Sequence, residues 1–377
     1  MARVYVRPAE YDYRTLRPLI HEIMDLLDGG QITRGSRVLI KPNLLAPASP
    51  TRAMLTHPMI VRTVAEYVVD KGARPQISDS PATGFFDKVL RASGIKEELK
   101  GLPVEFKEFK DSVVVEVGEP FQKLELAEDA LHTDVIINLP KLKTHSQMLL
   151  TLGVKNLFGC IVGLRKPQWH LRAGVDRHRF AQLLVRIQQS LRPAITILDG
   201  ILAMEGQGPG RGGVPRHLGL LLASGNAIAL DCAVCRIFGL APEALLTNKV
   251  AMEWGLVDNA TEIDGILPRI SDFNLPDITP LVFGPGSIHG FLRKYLVQRP
   301  VADTLSCKLC GECWSYCPAQ AISQVGRGVV FDYDKCIRCY CCLEVCPHGA
   351  LRAEEPMPGK ILGKLMPKGR RGGSGQY

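Results

Sequence analysis

The residues with the plainest chemistry are eight cysteines near the carboxyl end. Cys307, Cys310 and Cys313 stand three residues apart, and Cys317 follows just before Pro318. Cys336, Cys339 and Cys342 repeat that spacing, closed by Cys346 before Pro347. A tight loop with a cysteine at every third position turns three thiolates onto one face of an iron–sulfur cubane, so each run needs a fourth ligand from elsewhere. Two zinc ribbons are the competing reading, and they fail on spacing: zinc sites pair C-x-x-C elements across a long loop. The flanks repeat as well, CPAQAI at Cys317 and CPHGAL at Cys346, which reads as an internal duplication.

Residues 301–352 resemble the bacterial-type two-cluster ferredoxin domain. In such domains the fourth cysteine of each run ligates the other cluster. The resemblance therefore implies two 4Fe-4S clusters, one on Cys307, Cys310, Cys313 and Cys346, the other on Cys336, Cys339, Cys342 and Cys317. Cys341 falls outside the spacing and reads as a bystander.

About fifty residues of the 377 are used by that unit, so a large globular domain must precede it. Hydrophobic residues at 46% and charged residues at 22% allow a sizeable core without staples. No apolar run reaches membrane-spanning length and the first residues, MARVYVRPAEYDYR, lack a signal-peptide core. Cluster-forming thiolates also favour a reducing compartment, so a cytoplasmic protein is expected. The formal charge of +8 is concentrated in two places. Lys360, Lys364, Lys368, Arg370 and Arg371 lie in a Gly-rich tail, and residues 353–377 read as basic and disordered. Residues 135–179 hold eight Lys and Arg against one acid, Asp176, which points to an anion nearby.

The rest of the chain must position these groups. Apolar strands such as SRVLIKPN, PQISDS, VIINLP, AITILDG and LGLLLAS alternate with helical patterns such as MIVRTVAEYVVDKG, FAQLLVRIQQSL and AIALDCAVCRIFGL. That interleaving predicts an α/β fold, a mostly parallel sheet covered by helices on both faces. VVVEV and KLELA suggest a hairpin excursion, and Lys141 to Arg179 reads as a long loop. The expected order is an α/β domain over 1–271, a connecting segment over 272–300 with FLRKYL as a short helix, the ferredoxin-like domain over 301–352, and the tail.

In open α/β sheets ligands bind beyond the carboxyl ends of the strands. Lys41, Asn43, Asp79, Ser80, Asn138, Lys141 and Asp199 all stand at such ends. PKLKTHSQMLLTLGVKNLFG is densest: Lys141, Lys143, His145 and Lys155 suit a carboxylate or phosphate, and His145 has an imidazole that can pass a proton near neutral pH. Asp79, Asp199 and Glu205 are expected to share this pocket, and the glycines from Gly206 to Gly213 either approach an anion through backbone N–H groups or form a plain lid. A solvated basic loop is the alternative. Cys232 and Cys235, three apart on an apolar helix, read as core residues rather than a third metal site with Cys160. Asp231 on that helix needs a partner.

KPNLL at Lys41, SDSP at Ser78, NLPKLKTH through VKNLFG, LDGILAMEGQGPG and ALDCAVCRIFGL, in that order, are similar to the domain of unknown function family 362, over most of residues 1–265. An appended ferredoxin domain is familiar there, and the resemblance implies the architecture without a substrate. Two functions compete. One is an oxidoreductase passing electrons through its clusters to or from an anionic substrate. The other is an electron-transfer or iron–sulfur carrier protein whose α/β domain docks a redox partner protein. A nucleic-acid binder is disfavoured, since the basic stretch carries no stacking platform beyond Phe158, Trp169 and Phe180 and no recognised nucleic-acid fold is evident. Anaerobic reconstitution is expected to yield about eight iron atoms per chain, four for each cluster, with matching sulfide. Cys313→Ser should lose one cluster and weaken the other; tightly bound zinc without sulfide would end this reading.

Overall fold

The computed structural model describes residues 2–257, 261–276 and 295–357. Strand Ala2–Pro8 (β1) leads into helix Tyr13–Asp28 (α1), which Asp12 caps by accepting from the Arg14 N–H at 3.3 Å. Strand Arg37–Pro42 (β2) precedes helix Pro58–Asp70 (α2), where the proline takes a first-turn position that needs no N–H and His57 caps the Met59 N–H. Strand Arg74–Ile77 (β3), helices Phe86–Ala92 (α3) and Ile95–Glu98 (α4) and strand Glu105–Phe106 (β4) follow. Strands Ser112–Gly118 (β5) and Gln122–Ala127 (β6) form a separate antiparallel hairpin, as their alternating pattern predicts. Next come helix Glu128–Leu131 (α5) and three strands, Val135–Leu139 (β7), Lys141–His145 (β8) and Leu149–Thr151 (β9). Helices Gly153–Asn156 (α6), Arg165–Ala173 (α7) and Arg177–Leu191 (α8) lead to the long strands Ile195–Gly206 (β10) and Gly213–Ser224 (β11). Helices Ala227–Ile237 (α9) and Leu246–Glu253 (α10) and strand Thr261–Asp264 (β12) end this part.

The sheet runs β12-β1-β11-β10-β7-β2-β3-β4, with β8 on β10 and β9 on β8. From β10 to β4 every pairing is parallel, so these strands end on the same side. β11 runs against both β10 and β1. Alternate residues divide the core between the two faces. Val38, Ile40 and Ile137 pack with α1 and α2, while Leu39 and Ile136 pack with α8 and α10. The mostly parallel, two-sided α/β sheet read from the sequence is therefore present.

A small unit follows, with strands Arg299–Ala302 (β13), Ile322–Val325 (β14), Gly328–Phe331 (β15) and Leu351–Glu354 (β16) in two antiparallel pairs. Short helices Glu312–Ser315 and Cys341–Val345 accompany them over a core that includes Ile322, Tyr340, Leu343 and Leu351.

Residues 141–179 are not the long loop expected. KLKTH is a fully buried strand, and two further helices and a strand follow. Lysine-rich composition concealed it, because a lysine enters a sheet interior only where tertiary partners receive its ammonium. The glycine stretch is also more ordered in its ends, with β10 reaching Gly206 and β11 starting at Gly213. Most of FLRKYL, and the tail from residue 358, lie outside the described residues.

Asp231 finds its partner in α6: its carboxylate accepts from the N–H groups of Gly153 at 2.7 Å and Val154 at 3.1 Å, which sets the helix bearing Lys155 and Asn156. Burial nevertheless pushes its carboxyl up to about 7, against the two N–H donors. A raised folded pKa means the folded state holds the proton more tightly. Stability from this group is thus complete below the unfolded value and is lost as pH rises toward and past 7, by on the order of 4 kcal/mol. Asp231→Asn should flatten that part of the denaturation-versus-pH profile relative to the parent protein.

Candidate functional site

Two buried ion pairs mark the carboxyl edge of the sheet. Lys41 Nζ lies 3.1 Å from Asp79 Oδ2, and Asp79 also accepts from the N–H groups of Leu44 and Ser80. Register places Lys141 opposite Asp199, whose Oδ2 is 2.8 Å from Lys141 Nζ. Asp199 further accepts from the Tyr11 hydroxyl at 2.6 Å and the His57 N–H at 2.9 Å, and Lys141 donates to the Tyr11 oxygen at 2.9 Å. The Tyr11 and His57 rings stack at 3.6 Å. Every ammonium and carboxylate here is satisfied, so the Tyr11–Asp199–Lys141 group acts as a strut.

Beside it is a cavity of about 70 Å³. Lys143, His145, Thr151, Lys155, Lys166 and His170 face it from the α/β part, and Tyr316, Cys341 and Glu344 close it from the C-terminal unit. Lys143 donates to Asn43 Oδ1 at 2.8 Å and to the Met54 carbonyl at 2.7 Å, while burial lowers its ammonium to about 7. Asn43 in turn is held by Asn156, and Asn156 by Asn138. Burial likewise brings Lys166 down to about 7 and lowers Lys155, whose Nζ lies 5.8 Å over the Phe158 ring.

His145 Nδ1 accepts from the N–H groups of Gln147 and Met148 at 3.1 and 3.2 Å, which leaves its proton on Nε2. Nε2 faces Glu344 Oε1 at 3.0 Å. Burial keeps the imidazole neutral, down to about 4. For Glu344 burial acts upward but His145 and Lys155 prevail, so the carboxylate stays ionised. Lys166 Nζ, His170 Nδ1 and Thr151 Oγ1 are buried and have no hydrogen-bond partner among the described residues.

The cysteines gather in two groups. Cys307, Cys310, Cys313 and Cys346 line one small cavity of about 20 Å³, and Cys310 is exposed. The Cys317 thiol is pushed up by burial and by its neighbours Cys339 and Cys336, and Cys342 by burial and by Cys339, Cys336 and Cys317. Cys317 Sγ accepts from the Ala321 N–H and Cys346 Sγ from the Ala350 N–H, each at 3.3 Å, so the duplication extends to hydrogen bonding. Four thiols in each group, with backbone N–H donors to sulfur, fit 4Fe-4S cubanes.

Of the residues singled out in the sequence, Asp79, Lys143, His145 and Lys155 line the cavity. Lys141 and Asp199 pair with each other beside it. Glu205 is elsewhere, 3.1 Å from Arg216 and accepting from the Asn274 N–H. Within the glycine stretch, Gly208 is tied to β8 through Thr144 and Ser146, and Pro209 reaches the cavity. Cys160, Cys232 and Cys235 are buried in apolar clusters. Sequence reasoning missed Lys166 and His170, although their four-residue spacing on α7 put them on one helix face. Glu344, between cluster-type cysteines, looks like any solvated acid.

Together these features define an α/β protein with an iron–sulfur electron-transfer module, and residues 306–350 match the 4Fe-4S dicluster domain family. Residues 38–236 match the Domain of unknown function (DUF362) family, and the chain belongs to it. A thylakoid-associated protein of Synechocystis is 38% identical over 287 residues, covering 74% of this chain and 89% of that one. The pyruvate synthase subunit PorD of Thermotoga maritima is 46% identical over 57 residues, 15% of this chain and 57% of its own. PorD of Methanocaldococcus jannaschii is 33% identical over 76 residues, 20% of this chain and 88% of its own. Among the described residues no helix is long and apolar enough to cross a membrane.

The lysines should separate by role. Lys141→Met strands Asp199 as a buried charge and is expected to destabilise the protein by roughly 3–5 kcal/mol. Lys143→Met removes an ammonium held by two neutral acceptors, leaves no carboxylate without its partner, and should cost less. Denaturant unfolding of both variants tests this, and equal losses would make Lys143 structural too.

Proposed function

We propose that this chain is an iron–sulfur oxidoreductase that exchanges electrons with an anionic substrate bound between its α/β part and its dicluster unit. One observation carries the reading: the helix Cys341–Val345, which bears Cys342 of one cysteine quartet, also supplies Cys341 and Glu344 to the wall of a cavity opposite Lys143, His145 and Lys155. When bound, 4Fe-4S clusters on the two quartets supply single electrons. Cys336, Cys339, Cys342 and Cys317 would hold the one nearer the cavity. Cys307, Cys310, Cys313 and Cys346 would hold the outer one, where exposed Cys310 suits approach by a redox partner. Lys143 and Lys155 bind and orient the anion, and His145 holds a proton at Nε2 on the cavity side. Thiolate ligands suit a reducing compartment, the cytoplasm.

A second reading keeps the dicluster unit as an electron carrier and makes the α/β part a dock for a partner protein; likeness to subunits named PorD favours it. Electron paramagnetic resonance of the anaerobically reduced holoprotein separates the two. Under the enzyme reading, small carboxylates or phosphates change the spectrum of one cluster, and an anion that is reduced reoxidises the protein. Lys143→Ala and His145→Ala should abolish both responses with iron content unchanged. Anions without effect, together with fast electron exchange with a ferredoxin-type partner, would support the carrier instead.

A further inference from the structure

The cavity under the helix Cys341–Val345 carries an imbalance of charge and several donors with nothing to hold. Four lysines line it, Lys41, Lys143, Lys155 and Lys166, against two carboxylates, Asp79 and Glu344, which leaves two positive charges when all are ionised. Lys166, His170 and Thr151 are 6%, 4% and 4% exposed, and each has a polar atom without a partner. Buried polar groups in folded proteins are almost always hydrogen-bonded to protein, water or ligand. Three orphans converging on one space, one of them a lysine ammonium, mark the place of something that accepts hydrogen bonds and is negative. The space of about 70 Å³ corresponds to roughly five water-sized occupants.

We propose that the cavity binds a compact dianion, an oxyanion of about five heavy atoms, with Lys166, His170 and Thr151 as donors beside Lys143 and Lys155. This rests on the anion-site reading above and specifies its ligand. Two negative charges balance the wall, whereas a monoanion leaves one lysine uncompensated or neutral. Proton uptake should accompany binding. Lys143 faces Glu344, Lys155, Asp79 and Lys141, and Lys166 faces Asp79, Lys41, Cys160 and Glu108. Both are held near 7 by burial and are partly neutral when the cavity lacks an anion. An adjacent dianion favours their charged forms, so the bound state holds more protons and affinity rises as pH falls from about 8 to about 6.

Sulfate is the probe, since it stays doubly charged across that range. Calorimetric titration of the anaerobically reconstituted full chain should give one site, heats that vary with buffer ionisation as proton uptake requires, and affinity at least about tenfold above that of acetate, the difference one lost charge-assisted contact makes. Lys166→Met should weaken sulfate by about tenfold to a hundredfold, while Lys88→Gln on the exposed side of α3 leaves it unchanged. Removing an unpartnered buried ammonium is not expected to harm folding. Thr151→Val, nearly equal in shape, is the second variant and should weaken sulfate several-fold. Acetate binding as tightly as sulfate, absence of proton uptake, or indifference to both substitutions overturns the proposal and leaves electron delivery to the cavity standing. Sulfate binding as described without any change in the cluster resonance supports the dianion site and counts against electron delivery.

Discussion

Burial of charge at the carboxyl edge of the parallel strands is the constraint on which the architecture turns. Lys41, Asp79, Lys141 and Asp199 are all nearly sealed from solvent. An unpaired ion in such a setting costs several kcal/mol, a large part of the stability margin of a whole domain, so each needs its partner at hydrogen-bonding distance. Parallel pairing supplies this. β2 lies beside β7, β7 beside the start of β10, and β8 along the later part of β10, which brings Lys141 to Asp199. Once the two pairs are fixed, the backbone around them has little freedom.

Rigidity of that kind permits the unsatisfied groups beside it. Lys143, Lys155, Lys166 and His170 stand on β8, α6 and α7, elements secured by neighbouring pairs and by the Asp231 cap. The Lys166 ammonium and the His170 imidazole can therefore remain short of partners without the surrounding structure collapsing onto them. Lowered lysine and histidine basicity follows from the same burial.

The C-terminal unit completes the enclosure. Glu344 extends one carboxylate from the helix Cys341–Val345 to 3.0 Å from His145 Nε2, and Thr83 donates to Glu312 at 3.3 Å. These contacts couple the cysteine-bearing helices to the lysine-bearing sheet edge. Lys143 thereby shares its surroundings with a residue two positions from Cys342.

The sequence alone determined what depends on short spacing. Cysteine runs with their prolines, apolar strands alternating with amphipathic helices, and polar residues at strand ends are local patterns, and each is legible because a few consecutive residues carry it. The Lys143, His145, Lys155 and Asp79 cluster was also legible, since parallel strands must end together. Tertiary structure alone decided that KLKTH is an interior strand, that Lys141 and Asp199 satisfy each other while Glu205 turns to Arg216, and that Glu344 faces His145. A lysine or glutamate reads as solvated in any local window, and its burial becomes possible only through an opposite charge brought by a distant segment, which no spacing along the chain encodes.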